Sequence, residues 1–378
     1  MKILRYIILS LTVWALPSFL LAYFSPSLGT LSSHLIYVLL IIYFLFSSNR
    51  GPILWPFLLL GLSYYLIGGF NRTGFDDVEY ATLIVKFVLL VVCGATVMRD
   101  TSESELYYFL LLGSISIAIH ATIFPLFNAG FSEDYGRYSG FYLNPNGAGS
   151  VCLMALALSF GIKNVKVKYV SQLIITIAGF VTFSRSFLLM WLILNLLSIL
   201  INRKNFIVPL VGSLGLIIIF FFSSSLQLNS ERFNAIGNIF NDQGQSSNVL
   251  QKDSRTETWA SYKDVILNKP ILGNGFKKLQ GNHFGLYAGV HNTFLLVWGE
   301  AGVFPFLIIV CIYAFLMFRG FKNLRGEPQL ALLAIVLFTA LLVSHNYFDK
   351  FYVLLCSIFL YVTFVEKRDV RITDVAVV

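Results

Sequence analysis

Long runs of apolar residues, separated by short polar linkers, follow one another along the whole chain. A helix that crosses a membrane needs roughly 20 such residues. The pattern predicts twelve spans, at about residues 6–23, 29–47, 52–69, 80–98, 105–127, 146–162, 169–183, 187–201, 206–223, 292–318, 329–344 and 351–365. Because lipid offers no partners for backbone N–H and C=O groups, we expect each span to be an α-helix. Residues 1–378 then form a single, all-α polytopic transmembrane domain.

The stretch from residue 169 to 201 is read as two spans because of its flanks. A single helix over it would exceed the bilayer core by more than half. "KNVKVK" precedes the stretch and "NRK" follows it, so both of its ends are basic. Basic linkers remain on the cytoplasmic side, which requires two crossings with a turn at Ser184-Arg185-Ser186.

Basic residues in the linkers also predict the orientation. With twelve spans, one side of the membrane carries most of them: Lys2, Arg5, Arg50, Arg99, Lys163, Lys166, Lys168, Arg203, Lys204, Arg319, Lys322, Arg325, Lys367, Arg368 and Arg371. The short linkers opposite carry four: Arg72, Arg137, Arg185 and Lys350. We therefore expect both termini in the cytoplasm.

One linker, residues 224–291, is long and falls on the outer side. Its second half resembles a helix, since Ser254 and Glu257 have the spacing of a capping box. Three large residues then share one face of this helix: Trp259, Tyr262 and Ile266. We expect this amphipathic helix to lie along the membrane surface.

Composition agrees with a membrane protein, with 57% hydrophobic and 12% charged residues and a mean hydropathy of +0.76. The net charge of +8 comes from the basic linkers, so we expect membrane lipids and no nucleic acid as partners.

The four cysteines and five histidines show no ligand spacing, and no phosphate-binding glycine motif is present, so neither a metal nor a cofactor is expected. The acidic cluster "DDVE" at residues 76–79 could hold a hard cation, but fits a solvated outer loop better.

Three arginines face the outer side and are candidates for anion binding. Arg185 stands between two apolar helices, where it either reaches the headgroups or binds a phosphate through two parallel hydrogen bonds. Arg255 begins the surface helix, where the helix dipole favours an anion, although it could equally be solvated. Arg137, with Asn146, lies at a glycine-rich entry to span six and could instead be part of the loop structure.

His291, Asn292 and Glu300 mark the start of span ten in "VHNTFLLVWGEAG". A histidine at a helix N-terminus is expected to stay neutral and to accept a proton. The alternative is a boundary histidine bonded to a headgroup or a loop carbonyl. Glu300 lies about 13 Å deeper at the helical rise, too far to relay a proton to His291. We expect Glu300 to hold another helix in place.

Four segments together resemble the bacterial O-antigen ligase and O-antigen polymerase superfamily. They are "GRYSGFYLNPNGAG", "TFSRSFLLM", "SRTETWASYKDVILNKPILGNGF" and "HNTFLLVWGEAGVFPFL", within about residues 135–305. The resemblance implies a metal-independent inner-membrane glycosyltransferase of the C-type architecture with a periplasmic active site. By motif, His291, Arg255 and Arg185 correspond to its catalytic residues. Further substrate-binding residues are expected at Arg137, Asn146, Asn292, Trp259 and, from its position before the last helix, Asp349.

The implied donor is a glycan on undecaprenyl pyrophosphate, and the implied acceptor is a glycan or the lipid A core. Ligases often carry a glycine, threonine or tyrosine where this chain has Pro305. Polymerases have a glycine at a set distance after the residue corresponding to Arg137, and here Gly147 and Gly149 flank that place. Both activities therefore stay open, with a slight preference for polymerase. A chain-length regulator or a flippase is a candidate partner. The alternative function is a twelve-span lipid-linked glycan flippase, which would be expected to have charges at mid-membrane and two related halves.

Overall fold

The architecture is helical throughout the part of the chain that a computed structural model describes. That part comprises residues 1–72, 74, 76–127, 136–221, 255–286 and 288–375, with side chains described except at 218–220 and 367–375. Within it, helices are joined by turns, and the one β-bridge links His283 to Leu286. The expectation of an all-α chain is confirmed for these residues.

Fifteen α-helices are numbered here in chain order within the described ranges. They are α1 (Lys2–Val13), α2 (Leu16–Tyr23), α3 (Pro26–Phe46), α4 (Trp55–Gly69), α5 (Asp77–Asp100), α6 (Glu103–Ile123), α7 (Pro145–Ser159), α8 (Val165–Phe180), α9 (Arg185–Ile201), α10 (Ile207–Phe221), α11 (Arg255–Asn268), α12 (Thr293–Ala301), α13 (Val303–Lys322), α14 (Pro328–Val343) and α15 (Phe351–Val375). Two short 3₁₀ helices cover Gly140–Tyr142 and Arg203–Phe206. Every predicted span overlaps at least one α-helix.

Helix length separates the spans into two groups. In the part of the chain that the structure describes, four helices, α3, α5, α6 and α13, are long and apolar enough to cross a membrane, and α1 with α2 makes a fifth if that pair, bent by 60°, counts as one span. Others, such as α7 with 15 residues and α9 with 17, are shorter. At about 1.5 Å per residue these fall short of a hydrocarbon core of about 30 Å. The chain is therefore a multi-pass membrane protein, and the number of twelve crossings stays a prediction.

Span ten differs from its prediction because a glycine divides it. The run 292–318 forms α12 and α13, which are separated at Gly302. Gly302 has a φ of 83°, and a β-carbon there would collide with the carbonyl oxygen of Ile271. Only glycine combines this left-handed backbone with so close an approach. The turn that follows α11 is thus packed directly against the break.

Helix α7 lies at the centre of the bundle and packs against α6, α8, α9 and α14. Nearly all of it is buried, which explains why its N-terminal turn is rich in small residues. A β-carbon on Gly149 would lie 3.2 Å from the β-carbon of Ser184, just before α9. Small residues permit such close helix approaches within a membrane. The start of α7 is therefore held beside the turn that carries Arg185.

Helix α11 forms where the sequence predicted a helix in the long linker; its position along the membrane surface stays a prediction. Tyr262 and Ile266 on its apolar face are buried against Leu279, Val290 and Leu296. This face therefore packs on the loop before α12 and on α12 itself, which leaves little of it to contact lipid. The first part of the linker, up to residue 254 and including Ser254 of the expected capping box, lies outside the described residues.

Candidate active site

Two histidines from different parts of the chain meet in front of helix α12. Nδ1 of His291 and Nδ1 of His345 are 3.1 Å apart, and the ring centroids are 4.5 Å apart. Both rings are partly buried. At this distance one nitrogen donates its hydrogen to the other. The pair is therefore a single hydrogen-bonded unit that joins the long linker to the turn between α14 and α15.

The local backbone explains how His291 reaches His345. His291 has a φ of 49°, a conformation that residues other than glycine rarely adopt. The next residue, Asn292, caps α12 by accepting hydrogen bonds from the amides of Phe294 and Leu295. Thr293 then donates to the carbonyl of Ser344 at 2.7 Å, which fixes α12 beside the turn that carries His345. His291 thus precedes the helix cap, where the sequence had predicted it in the first helical turn.

The electrostatic surroundings of His345 indicate that Arg255, another predicted site residue, lies near the histidine pair. Burial, together with the neighbouring His291 and the positive charges of Lys350 and Arg255, lowers the pKa of His345 to about 3. Because its pKa lies well below neutrality, His345 is uncharged at physiological pH. The same interaction places Arg255, the first residue of α11, near the histidine pair.

Asp349 and Lys350 contribute opposite charges to the turn before α15. Burial lowers the pKa of the Lys350 ammonium to about 8, and the neighbouring Asp349 opposes that shift. Burial raises the pKa of the Asp349 carboxyl, which Lys277 and Lys350 oppose. Asp349 nonetheless keeps an exposed surface. The turn before α15 therefore presents an exposed carboxylate beside two lysines.

Lys350 also approaches the second group of predicted residues, at the start of α7. Its Nζ lies 3.4 Å from the point where a β-carbon on Gly147 would stand. The neighbouring Asn146 accepts a hydrogen bond from Arg137 at 3.3 Å. Lys350 is therefore near both the histidine pair and the entry to α7.

Arg137 has a structural role at the start of α7. It is buried, and its Nε donates to the carbonyl of Thr182 at 3.3 Å. Thr182 lies in the turn that ends at Ser184, the cap of α9. Arg185, predicted in the turn, is instead the exposed first residue of α9. Arg137 thus connects the turn that presents Arg185 to the start of α7.

Glu300 makes the structural contacts that the sequence suggested. Its carboxylate accepts hydrogen bonds from the hydroxyl of Tyr64 at 2.5 Å and from the amide of Leu279 at 2.9 Å. Tyr64 belongs to α4, and Leu279 belongs to the linker before α12. Glu300 is fully buried. Glu300 therefore attaches both α4 and the preceding linker to helix α12, at a distance from the histidine pair.

Two other predicted substrate-binding residues have structural contacts. The side-chain oxygen of Asn292 is used by the helix cap. Trp259 is partly buried against the apolar cluster of α11, with its Nε1 buried. His345, Lys350 and Lys277 were not predicted as site residues. The one signal for the first two was their place in "SHNYFDK", an outer linker with unusually many polar residues.

A comparison with protein families gives a match over the middle of the chain. The family described as O-Antigen ligase matches residues 170–310. This segment is similar to the O-antigen ligase family. The finding supports the resemblance to the O-antigen ligase and polymerase superfamily and a role of the glycosyl-transferring kind in surface polysaccharide assembly. A search of curated proteins finds no match.

The O-antigen ligase match covers part of the site only. Arg185, Arg255 and His291 lie inside the matched residues 170–310. Arg137 and Asn146 precede them, while His345, Asp349 and Lys350 follow them. The two sides of the candidate site thus come from matched and unmatched parts of the chain, which meet at the histidine pair.

Proposed function

We propose that the protein is an inner-membrane glycosyltransferase that moves a glycan from undecaprenyl pyrophosphate to a sugar hydroxyl. The observation that carries this proposal is the contact of His291 with His345, beside the positive charges of Arg255 and Lys350. A proton acceptor next to several cations suits a reaction in which a hydroxyl attacks and a pyrophosphate leaves. The family match over residues 170–310 supports the glycosyl-transfer chemistry.

His291 acts as the general base in this proposal. The acceptor oxygen attacks the anomeric carbon and passes its proton to His291, while the bond from that carbon to the pyrophosphate oxygen breaks. The electron pair of the broken bond remains on the leaving pyrophosphate. A single displacement of this kind inverts the anomeric configuration.

Arg185 and Arg255 hold the pyrophosphate without a metal ion in this proposal. Each is the first residue of a helix, α9 and α11 respectively. Backbone amides at a helix N-terminus and the helix dipole favour an anion there. A guanidinium adds two parallel hydrogen bonds to phosphate oxygens. Asp349, an exposed carboxylate beside Lys277 and Lys350, orients a sugar hydroxyl in this proposal.

The topology belongs to the same proposal. Twelve crossings with both termini in the cytoplasm place the His291 side of the bundle in the periplasm, where the lipid-linked donor is presented. Membrane lipids surround the bundle, and a chain-length regulator or a flippase is the partner we expect.

The acceptor is a growing glycan for a polymerase or the lipid A core for a ligase, with a slight preference for polymerase. In a deletion strain, single-repeat chains indicate polymerase, whereas long lipid-linked chains that are not joined to lipid A core indicate ligase.

An in vitro assay separates the enzyme from a lipid-linked glycan flippase. Purified protein in detergent is mixed with an undecaprenyl-pyrophosphate-linked oligosaccharide and an acceptor glycan. We expect sugar transfer, measured as elongated product and released undecaprenyl pyrophosphate. Translocation in sealed vesicles without transfer in detergent would contradict the proposal, because a flippase requires a closed bilayer to show activity.

The rate of this transfer is expected to change with pH as the ammonium group of Lys350 loses its proton. Because burial lowers its pKa to about 8, Lys350 is charged below that pH and loses its charge above it. If its ammonium assists donor binding, kcat/KM for the donor falls as pH rises through 8, by about tenfold. Lys350→Met should have a low kcat/KM at pH 7 and no such alkaline fall. Lys263→Met, at an exposed position on α11, is the matched control. An identical alkaline fall in wild type and Lys350→Met would contradict a role for this lysine.

A further inference from the structure

The hydrogen bond between the two histidines has a direction that decides which nitrogen of His291 can act as a base. With Nδ1 to Nδ1 at 3.1 Å, one ring donates and the other accepts. A neutral imidazole carries its hydrogen on one nitrogen and a lone pair on the other. If His291 donates from Nδ1, its lone pair lies on Nε2. If His345 donates instead, the hydrogen of neutral His291 lies on Nε2, and that nitrogen cannot take a proton.

We propose that His345 is a positioning residue that accepts the Nδ1 hydrogen of His291 and so presents the Nε2 lone pair of His291 to the acceptor hydroxyl. The inference rests on the proposed function, because it assigns the orientation of the general base in that reaction. Neither the O-antigen ligase match, which ends at residue 310, nor the spacing of motifs points to residue 345.

The surroundings of His345 favour its role as the hydrogen-bond acceptor of the pair. A protonated His345 has hydrogens on both nitrogens and would force its own Nδ1 to donate. Burial opposes that protonation most, and a charge on His345 would also be disfavoured by His291 and by the positive charges of Lys350 and Arg255, which together bring the pKa of His345 to about 3. A neutral ring keeps one nitrogen with a lone pair. His345 is therefore able to accept a hydrogen bond from His291 at neutral pH.

The packing fixes both rings in this arrangement. A β-carbon on Gly289 would lie 2.9 Å from Cε1 of His345, so the backbone just before His291 packs against the edge of the His345 ring. Thr293 and the carbonyl of Ser344, which precedes His345, are joined by a hydrogen bond of 2.7 Å. When His291 takes the acceptor proton on Nε2, its Nδ1 hydrogen still points at His345. The bond therefore needs no rearrangement during the reaction, as expected of a preorganised site.

Substitutions at His345 distinguish an acceptor from a packing residue. The amide oxygen of asparagine stands close to the place of Nδ1 in histidine and can accept the same hydrogen bond. We expect His345→Asn to transfer glycan at a kcat within a few-fold of wild type. His345→Leu fills the space without an acceptor, and we expect its kcat to fall about 10- to 100-fold with little change in KM for the donor. His34→Leu, at an exposed position on α3, is the matched control.

The tautomer of His291 is a second readout that does not depend on transfer. Protein labelled with ¹⁵N in its histidine rings is studied by NMR in detergent, and the signal of His291 is assigned from its loss in His291→Asn. In wild type and His345→Asn we expect Nδ1 of His291 to carry the hydrogen and Nε2 to be unprotonated. In His345→Leu we expect a mixture of both tautomers.

The two readouts separate failure of this inference from failure of the proposed function. If wild type transfers glycan and His345→Leu matches it in kcat and in tautomer, the positioning role is wrong. Equal losses of kcat in His345→Asn and His345→Leu, with the His291 tautomer unchanged in both, would show a packing role and also overturn the inference. If wild type shows the expected tautomer but no transfer, the arrangement of the rings stands and the proposed reaction fails.

Discussion

Replacing His291 by alanine is expected to abolish glycan transfer while leaving the protein level and membrane insertion intact. The variant removes the nitrogen that accepts the proton of the attacking hydroxyl. General base catalysis contributes about 10²- to 10⁴-fold, so a loss of that size in kcat is expected. The measurement is product formation from a lipid-linked oligosaccharide, with the amount of protein in the membrane determined in parallel.

The backbone at residue 291 requires a second variant. Because His291 has a φ of 49°, alanine could disturb the turn as well as the chemistry. Asparagine adopts this left-handed conformation more readily than most residues, so His291→Asn preserves the turn and still lacks the base. His283→Ala, elsewhere in the same linker, is the matched control and should be active. Near-normal transfer by both His291 variants would show that another group accepts the proton.

The pattern of apolar residues predicted the helices well and their lengths less well. Periodic apolar runs indicate where a helix forms, since the backbone within lipid has no alternative. They do not show where it bends. Gly302 is followed by further apolar residues, so "GEAGVFPFL" resembles an uninterrupted span in one dimension. The break depends on the approach of Ile271, some thirty residues earlier in the chain, which no local pattern reveals.

The same limit applies to the site. His291 was predicted from its place at a helix start, whereas His345 had no partner in the sequence, because the residue it contacts is 54 positions away. Asn292 shows a different difficulty. An asparagine before an apolar run can bind a ligand or cap the helix, and both uses need the same side-chain oxygen. In the structure the cap uses it. Polar residues at helix ends therefore become interpretable only when the backbone donors around them are known.

Replacing Arg185 or Arg255 by lysine is expected to reduce transfer by about 10- to 100-fold, although the charge is kept. Lysine is a point charge and loses the two parallel hydrogen bonds that a guanidinium makes to a phosphate. Since each arginine is the first residue of a helix, the backbone donors of α9 and α11 stay in place in both variants. The lost contact is then that of the side chain alone. The release of undecaprenyl pyrophosphate and the donor KM are measured for each variant.

A matched substitution makes this prediction specific to the proposed pyrophosphate site. Arg72 lies on the same predicted outer side as Arg185 and Arg255, and it pairs with Asp77 at the start of α5. Arg72→Lys keeps that ion pair within reach, so its transfer rate should match the wild type. Full activity of both Arg185→Lys and Arg255→Lys would show that the leaving pyrophosphate is held elsewhere, with Lys277 and Lys350, the two cations beside Asp349, as the next candidates.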